Sequence, residues 1–277
     1  MSKPLRDAHR HIGRMPAYPF YGCPAISADV TAKGTVAELV ADLDAHGIEQ
    51  ALVLPNYGVP DPDIAFGLNN LALEAAGKHP DRIRCGLWVS PRPEDADRNA
   101  EALKLAGEDG VAVLKTSFLL GGHPADPACK PQLDQLFAAA REHNLVVHIH
   151  TSPGAASDVD QVGKLVEEYA GPDGVRVHLV HLGGGMSGHM KLIGGRLFDW
   201  IERGFQVYTD TSWTIGFAPA WLVREIERRG IGHDRILFAT DAPWGDFAGE
   251  HARLAAAAGD GALADAFFSE NFSALYG

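Results

Sequence analysis

The chain has 277 residues, 46% of them hydrophobic and 22% charged, with a formal net charge of −12 at pH 7. That balance suits a soluble globular protein with a sizeable core, and the acidic surface without a basic patch argues against a nucleic-acid or general polyanion binder. The N-terminus carries no apolar signal segment, no apolar run is long enough to span a bilayer, and Cys23, Cys85 and Cys129 lack metal-type spacing, so the expectation is a cytoplasmic protein in a reducing compartment.

Continuous apolar runs predict strands at 5–9, 51–55, 83–90, 111–116, 145–151, 176–182, 205–211 and 236–241. Amphipathic stretches between them predict helices at 36–45 after the N-cap Thr35, and at 68–78 before His79-Pro80. Further helices are predicted at 132–143 after Pro131 and at 218–229 closed by Gly230. Strand starts recur roughly every thirty residues, the length of a βα unit. Eight such units predict one α/β domain over residues 1–277, a (β/α)8 TIM barrel with a long loop after strand 1 and a C-terminal helix. A doubly wound open sheet is the rival, weakened because no GxGxxG follows the first strand and no Walker motif is present. The loop 12–34 is rich in proline and in aromatic residues, including Tyr18, Phe20 and Tyr21. It either shapes the site or serves as a plug or subunit contact.

Ionisable residues stand where apolar runs give way to loops. His9 and His11 are two apart and share a strand face. Lys115 ends GVAVLK, where it invites carboxylation, a contact with an anionic substrate, or a salt bridge to a barrel carboxylate. His148 and His150 also share a face, and His150, nearer the catalytic end, is the better ligand, with His148 one layer deeper. His181 precedes Gly183 to Gly185, a turn that permits close approach by a ligand, whereas His178 is expected to face the helices. Asp241 ends the last run, and a carboxylate buried there needs a partner such as a metal. Asp210 reads as a cap for the following loop, with an acceptor supporting the site from behind as the alternative. Trp88, Trp213 and Trp244 near strand ends line an aromatic pocket or fill the core. Metal-ligand types at several strand ends point to one site built from many strands.

The segments DAHRH, VVHIHTS, LVHLGGG and ILFATDAPWGD, with the terminal SENFSALYG, resemble the amidohydrolase superfamily, in particular its branch of small TIM-barrel metal-dependent hydrolases and decarboxylases. The resemblance runs from Asp7 to the C-terminus. It implies His9 and His11 as first-strand metal ligands, Lys115 at the position that is carboxylated in binuclear members, and His150, His181 and Asp241 as the remaining ligands. Asp241 and His181 would also be catalytic, with Asp241 moving protons. The expected cofactor is a divalent metal, Zn2+, as one or two ions. The expected activity is hydrolysis of a small amide, cyclic amide or lactone by metal-activated water. The alternative is non-oxidative decarboxylation of an aromatic or unsaturated acid, against which Lys115 counts, and a non-catalytic barrel with remnant ligands is the third reading. Tyr21, Trp213 and Trp244 are the candidate substrate contacts. The expected partner is a small molecule, with no nucleic acid and no membrane; a homo-oligomer stays open.

Overall fold

The computed structural model describes residues 4–14, 32–56 and 62–277. Eight parallel strands pair in sequence order: β1 (Leu5–Ile12), β2 (Ile48–Pro55), β3 (Ile83–Trp88), β4 (Val111–Thr116), β5 (Val146–Ile149), β6 (Val177–Leu179), β7 (Val207–Asp210) and β8 (Ile236–Leu237). Backbone bonds from Ala8 N to Phe238 O (2.9 Å), Asp241 N to His9 O (2.7 Å) and His11 N to Ala242 O (2.8 Å) join β8 to β1 and close the barrel. This is the predicted TIM barrel. The helix Val36–Ala45 begins at a capping box formed by Thr35 and Glu38, and Ala218–Arg229 ends at Gly230 in the left-handed conformation (φ 69°). Among the described residues, no helix is long and apolar enough to cross a membrane.

The last strand is shorter than its apolar run predicts. Phe238 donates its N–H to Phe267 O in the C-terminal segment (2.8 Å), so the regular ladder stops at Leu237. That segment differs from a simple docked helix as well. A π turn at Ala266–Glu270 interrupts it, and the final helix Asn271–Tyr276 sends Phe272, Leu275 and Tyr276 into the lower lumen against Ala8, Leu52, Val113 and Val146. The C-terminal segment is therefore the floor of the barrel.

The polar upper lumen is created by a slip in β1. Asp7 is opposite Ala51, but Arg10 is opposite Val53, so β1 carries one extra residue between them. Below the slip Ala8 packs in the lumen; above it His9 and His11 turn inward while Arg10 faces the helix layer and pairs with Asp42. A β-bulge re-aims side chains in this way. Asp7 braces the same seam. Its Oδ1 accepts from the N–H groups of His9 (3.1 Å) and Thr240 (3.0 Å), and its Oδ2 accepts from Thr240 Oγ1 (2.6 Å). Arg10 Nη1 stands 3.4 Å from Oδ2. Replacing Asp7 by Ala leaves three buried donors without their acceptor, while Arg10 keeps Asp42. Asp7→Ala should lower unfolding free energy by about 1–3 kcal/mol, read as a lower urea midpoint at unchanged slope. A loss under about 1 kcal/mol would mean that the seam does not depend on this carboxylate.

Candidate metal centre and active site

His9, His11 and Asp241 meet at the C-terminal end of the barrel. His9 Nε2 is 3.0 Å from His11 Nε2 and 3.1 Å from Asp241 Oδ1, and His11 Nε2 is 3.0 Å from the same oxygen. His11 Nδ1 donates to Pro55 O (3.0 Å), an acceptor only, which turns its Nε2 toward the cluster. His9 Nδ1 faces the Asp210 carboxylate at 3.7 Å, beyond hydrogen-bond distance. Two imidazoles and a carboxylate are a donor set suited to a divalent ion. The residues present fit such an ion on geometry and on chemistry.

Asp241 sits in the left-handed region (φ 54°), as do His181 (67°), Leu182 (47°) and Trp213 (57°). Non-glycine residues avoid this region, and its concentration on the loops after β6, β7 and β8 marks a place where backbone strain is tolerated to aim side chains. Asp241 Oδ2 accepts from Trp213 Nε1 (2.7 Å) and stands 3.9 Å from His181 Nε2. Burial alone would raise this carboxyl, but the imidazoles of His9, His181 and His11 outweigh it and hold Asp241 well below the usual range. The imidazoles are pushed the other way: burial drives His9 down to about 3 and lowers His148, His150 and His181.

Two expectations change here. His178 does not face the helices. It is fully buried in the lumen, with its ring 4.4 Å from that of His148, its Nε2 3.0 Å from Asp210 Oδ2 and its Nδ1 2.5 Å from Tyr276 Oη. The two-residue alternation ends at Leu179, because the turn Val180–Gly183 redirects His181, so His178 and His181 both point inward. Asp210 is more than a cap. Its Oδ1 accepts from Ser212 N (3.0 Å), Ser212 Oγ (2.5 Å) and His181 N (3.1 Å), as a cap would, while its Oδ2 faces His178 and His9. Burial would raise the Asp210 carboxyl, but the close donors His178 and His9 hold it well below the usual range. A buried aspartate three residues beyond a β7 valine was visible in the sequence; its partners were not.

The other predicted residues divide by depth. Lys115 lies in register with His148 and His178, and its Nζ is 3.1 Å from His148 Nδ1. Burial pushes the lysine down to about 7, against the pull of Asp241 and Asp210. His148 is in the deeper layer, as expected. His150 packs its ring 4.8 Å from that of His181, and both its nitrogens are buried without a hydrogen-bond partner. His181 Nδ1 is 2.7 Å from Ser212 Oγ. Because that hydroxyl already donates to Asp210, it accepts from His181, whose Nε2 is therefore bare.

A cavity of about 510 Å³ opens beside His11, walled by Trp213, Ile215, Trp244, Glu250 and Arg253. Trp213 is 44% exposed and Ile215 45%, which makes this side of the mouth apolar. Trp244 Nε1 donates to Asn56 Oδ1 (3.1 Å), and burial pushes Glu250 up to about 7. Trp88 is a fully buried core filler, and Tyr21 lies outside the described residues. The glycines after His181 serve backbone packing: a Cβ on Gly184 would stand 2.3 Å from Thr151 O, and one on Gly183 2.5 Å from Gly188 C. His189 is buried and ties Leu182 O to Ile215 N.

The Amidohydrolase family pattern matches residues 7–277. The chain belongs to the amidohydrolase family. No curated protein matches this amidohydrolase significantly in sequence. Among solved structures, it is similar to 2,6-dihydroxybenzoate decarboxylase from Rhizobium, at 18% identity over 99% of both chains with a TM-score of 0.68. It is also similar to 5-carboxyvanillate decarboxylase from Novosphingobium aromaticivorans, complexed with manganese and a nitrobenzoic acid, at 18% identity over 99% of this chain and 96% of that one (TM-score 0.68). A third likeness is to a probable 2-pyrone-4,6-dicarboxylic acid hydrolase from Acinetobacter baumannii with citric acid bound, at 15% identity over 98% of both chains (TM-score 0.63). At these identities the likenesses show a shared fold.

The neutral imidazoles make this amidohydrolase acid-sensitive in a defined window. His9 is held at about 3 in the folded chain against 6.5 unfolded, so between these values the unfolded state binds the extra proton and stability falls as pH falls. From pH 6.5 to 5 His9 alone should cost about 2 kcal/mol, at 1.36 kcal/mol per pH unit, and His148, His150 and His181 act in the same direction. Urea unfolding of metal-free protein should show this loss. Equal stability at pH 7 and pH 5 would contradict four neutral buried imidazoles.

Proposed function

We propose that the chain is a metal-dependent hydrolase acting on a small amide, cyclic amide or lactone with an apolar or aromatic body. The observation that carries this reading is that the groups facing the mouth are gathered as bases. Asp241 is held ionised by the imidazoles around it, and burial disfavours protonation of His9 and His181. Hydrolysis needs a base for the attacking water, whereas protonation of carbon needs an acid.

His9, His11 and Asp241 would hold the ion; His150, expected as a ligand from the sequence, is not among the donor atoms that lie together. The contact of Lys115 with His148 in the deeper layer supports one ion, with His181 left free, over a carboxylated lysine bridging two. When bound, a divalent ion supplies a Lewis acid and lowers the pKa of water to roughly 7. Zn2+ is the proposed metal; manganese, carried by the carboxyvanillate decarboxylase of the same fold, is the alternative. Asp241 takes a proton from the attacking water as its oxygen bonds to the carbonyl carbon. Trp213 Nε1 holds the carboxylate in orientation. His181 Nε2, 3.9 Å from Asp241 Oδ2, stands beside the carboxylate as a second acceptor for that proton. The C–N or C–O bond then breaks, and Asp241 returns the proton to the leaving nitrogen or oxygen. Trp213, Ile215 and Trp244 would receive the apolar part of the substrate.

The apolar wall of the mouth also favours a second reading, decarboxylation of an aromatic acid, with Asp241 or His181 delivering a proton to the ring carbon. A panel of lactones, cyclic amides and hydroxylated aryl acids, assayed with Zn2+ and with Mn2+, separates the two. CO2 release without any ester or amide turnover would overturn the hydrolase reading.

Asp241→Asn keeps the size and one ligating oxygen but accepts no proton. Its kcat should fall by roughly 10²–10⁴, with the far-ultraviolet circular dichroism unchanged. Wild-type kcat with full metal content would remove Asp241 from the chemistry and leave His181 as the base.

A further inference from the structure

Below the mouth, a second set of ligand-type side chains faces across the lumen. His9 turns Nε2 up toward His11 and Asp241 and Nδ1 toward Asp210. The His148 ring stands edge-on to that of His9, with centroids 4.8 Å apart. His9, His148 and Asp210 are fully buried, and each offers one nitrogen or carboxylate oxygen within 4.8 Å of the other two. They sit on β1, β5 and β7, so only the closed barrel assembles them.

This layer is short of hydrogen bonds. Among the described residues, His9 Nδ1, His148 Nε2, His178 Nε2 and Asp210 Oδ2 are all buried without a hydrogen-bond partner. One such atom is costly, and four in one layer call for a shared partner. Spacing narrows what that partner is. His9 Nδ1 stands 3.7 Å from Asp210 Oδ2, too far for a hydrogen bond. Two atoms each held about 2.0–2.2 Å from one tetrahedral ion lie roughly 3.4 Å from each other. His148 has one nitrogen to offer, because Lys115 Nζ meets its Nδ1 at 3.1 Å. Burial pushes that lysine down to about 7, which limits its repulsion of a cation.

We propose that this lower layer is a second divalent-cation site, with His9 Nδ1, His148 Nε2 and Asp210 Oδ2 as its ligand atoms and His178 beside it. Two imidazoles and a carboxylate suit Zn2+. His9 has one proton to place. With an ion below, that proton sits on Nε2, which donates to Asp241 Oδ1 at 3.1 Å. An ion below and an ion at the mouth therefore compete for His9. The lower ion is held by fully buried residues, away from the cavity that opens beside His11, so it is a resting position outside the chemistry. The hydrolase reading uses the ion at the mouth and does not depend on this site.

The test uses the full chain, Zn2+ alone and no substrate. His11→Ala combined with Asp241→Ala removes two of the three ligands at the mouth and leaves the lower set intact. Isothermal titration of this double variant should give one Zn2+ per chain, and adding His148→Phe should abolish the binding. No binding in a double variant whose circular dichroism matches wild type would overturn the proposal, and a buried water would then be what these atoms share. Binding that survives His148→Phe would overturn it as well. If the double variant does not fold, zinc-edge anomalous scattering from crystals of His11→Ala decides the same point. A peak beside His148 and Asp210 supports the site, and a peak beside Asp241 alone overturns it. The substrate panel is separate from all of these arms, so the two readings fail independently.

Discussion

The upper barrel is arranged around one close meeting of two imidazoles and a carboxylate. His9 Nε2, His11 Nε2 and Asp241 Oδ1 lie 3.0–3.1 Å apart in a buried cluster whose donor set suits a divalent ion. The surroundings consist of the groups that hold each member in place. Pro55 O accepts from His11 Nδ1, the Asp210 carboxylate faces His9 Nδ1 at 3.7 Å, and Trp213 Nε1 donates to the carboxylate of Asp241.

The cost of this arrangement is spread over the fold. The β1 slip gives up regular register to turn two consecutive alternate residues inward, and Asp7 braces the strand where the slip occurs. The loops after β6, β7 and β8 carry left-handed backbone at His181, Trp213 and Asp241. Such strain survives only where packing over-determines the chain. Here Thr151 anchors the β6 turn: its hydroxyl donates to Val180 O, and its Oγ1 accepts from Gly183 N at 3.0 Å. Below, the lumen is polar at the level of Lys115, His148 and His178 and becomes apolar only at the C-terminal plug. The two cysteines among the described residues take no part in this chemistry; burial pushes Cys85 up to about 12, far from a thiolate.

The barrel and most of its site were legible in the sequence because both are local patterns. Eight apolar runs spaced by amphipathic stretches name the fold, since parallel strands buried on both faces read as continuous apolar segments. Residues at the ends of those runs fall at the mouth of the barrel. That rule placed His9, His11, His181 and Asp241 at the mouth, where the structure gathers them, and it put His148 a layer deeper than His150. The rule depends on where a strand stops, and it failed where the stop was early. β6 ends at Leu179, so strict alternation sent His178 to the wrong face.

The sequence by itself determined the barrel, its catalytic end and the residue types that gather there, because periodicity and strand-end position are properties of a single segment. Only the tertiary structure decided what each imidazole faces, since that depends on partners far away in the chain: Pro55 for His11, Asp210 for His9, Tyr276 for His178. It also decided that Asp210 is shared between a cap and two imidazoles, and that the C-terminal helix is a floor whose last tyrosine reaches the polar lumen. A carboxylate or phenol carries no mark in sequence of the partner it will meet. Only the closure of the barrel, from Leu5 in the first strand to Tyr276 in the last helix, brings those partners within hydrogen-bond distance.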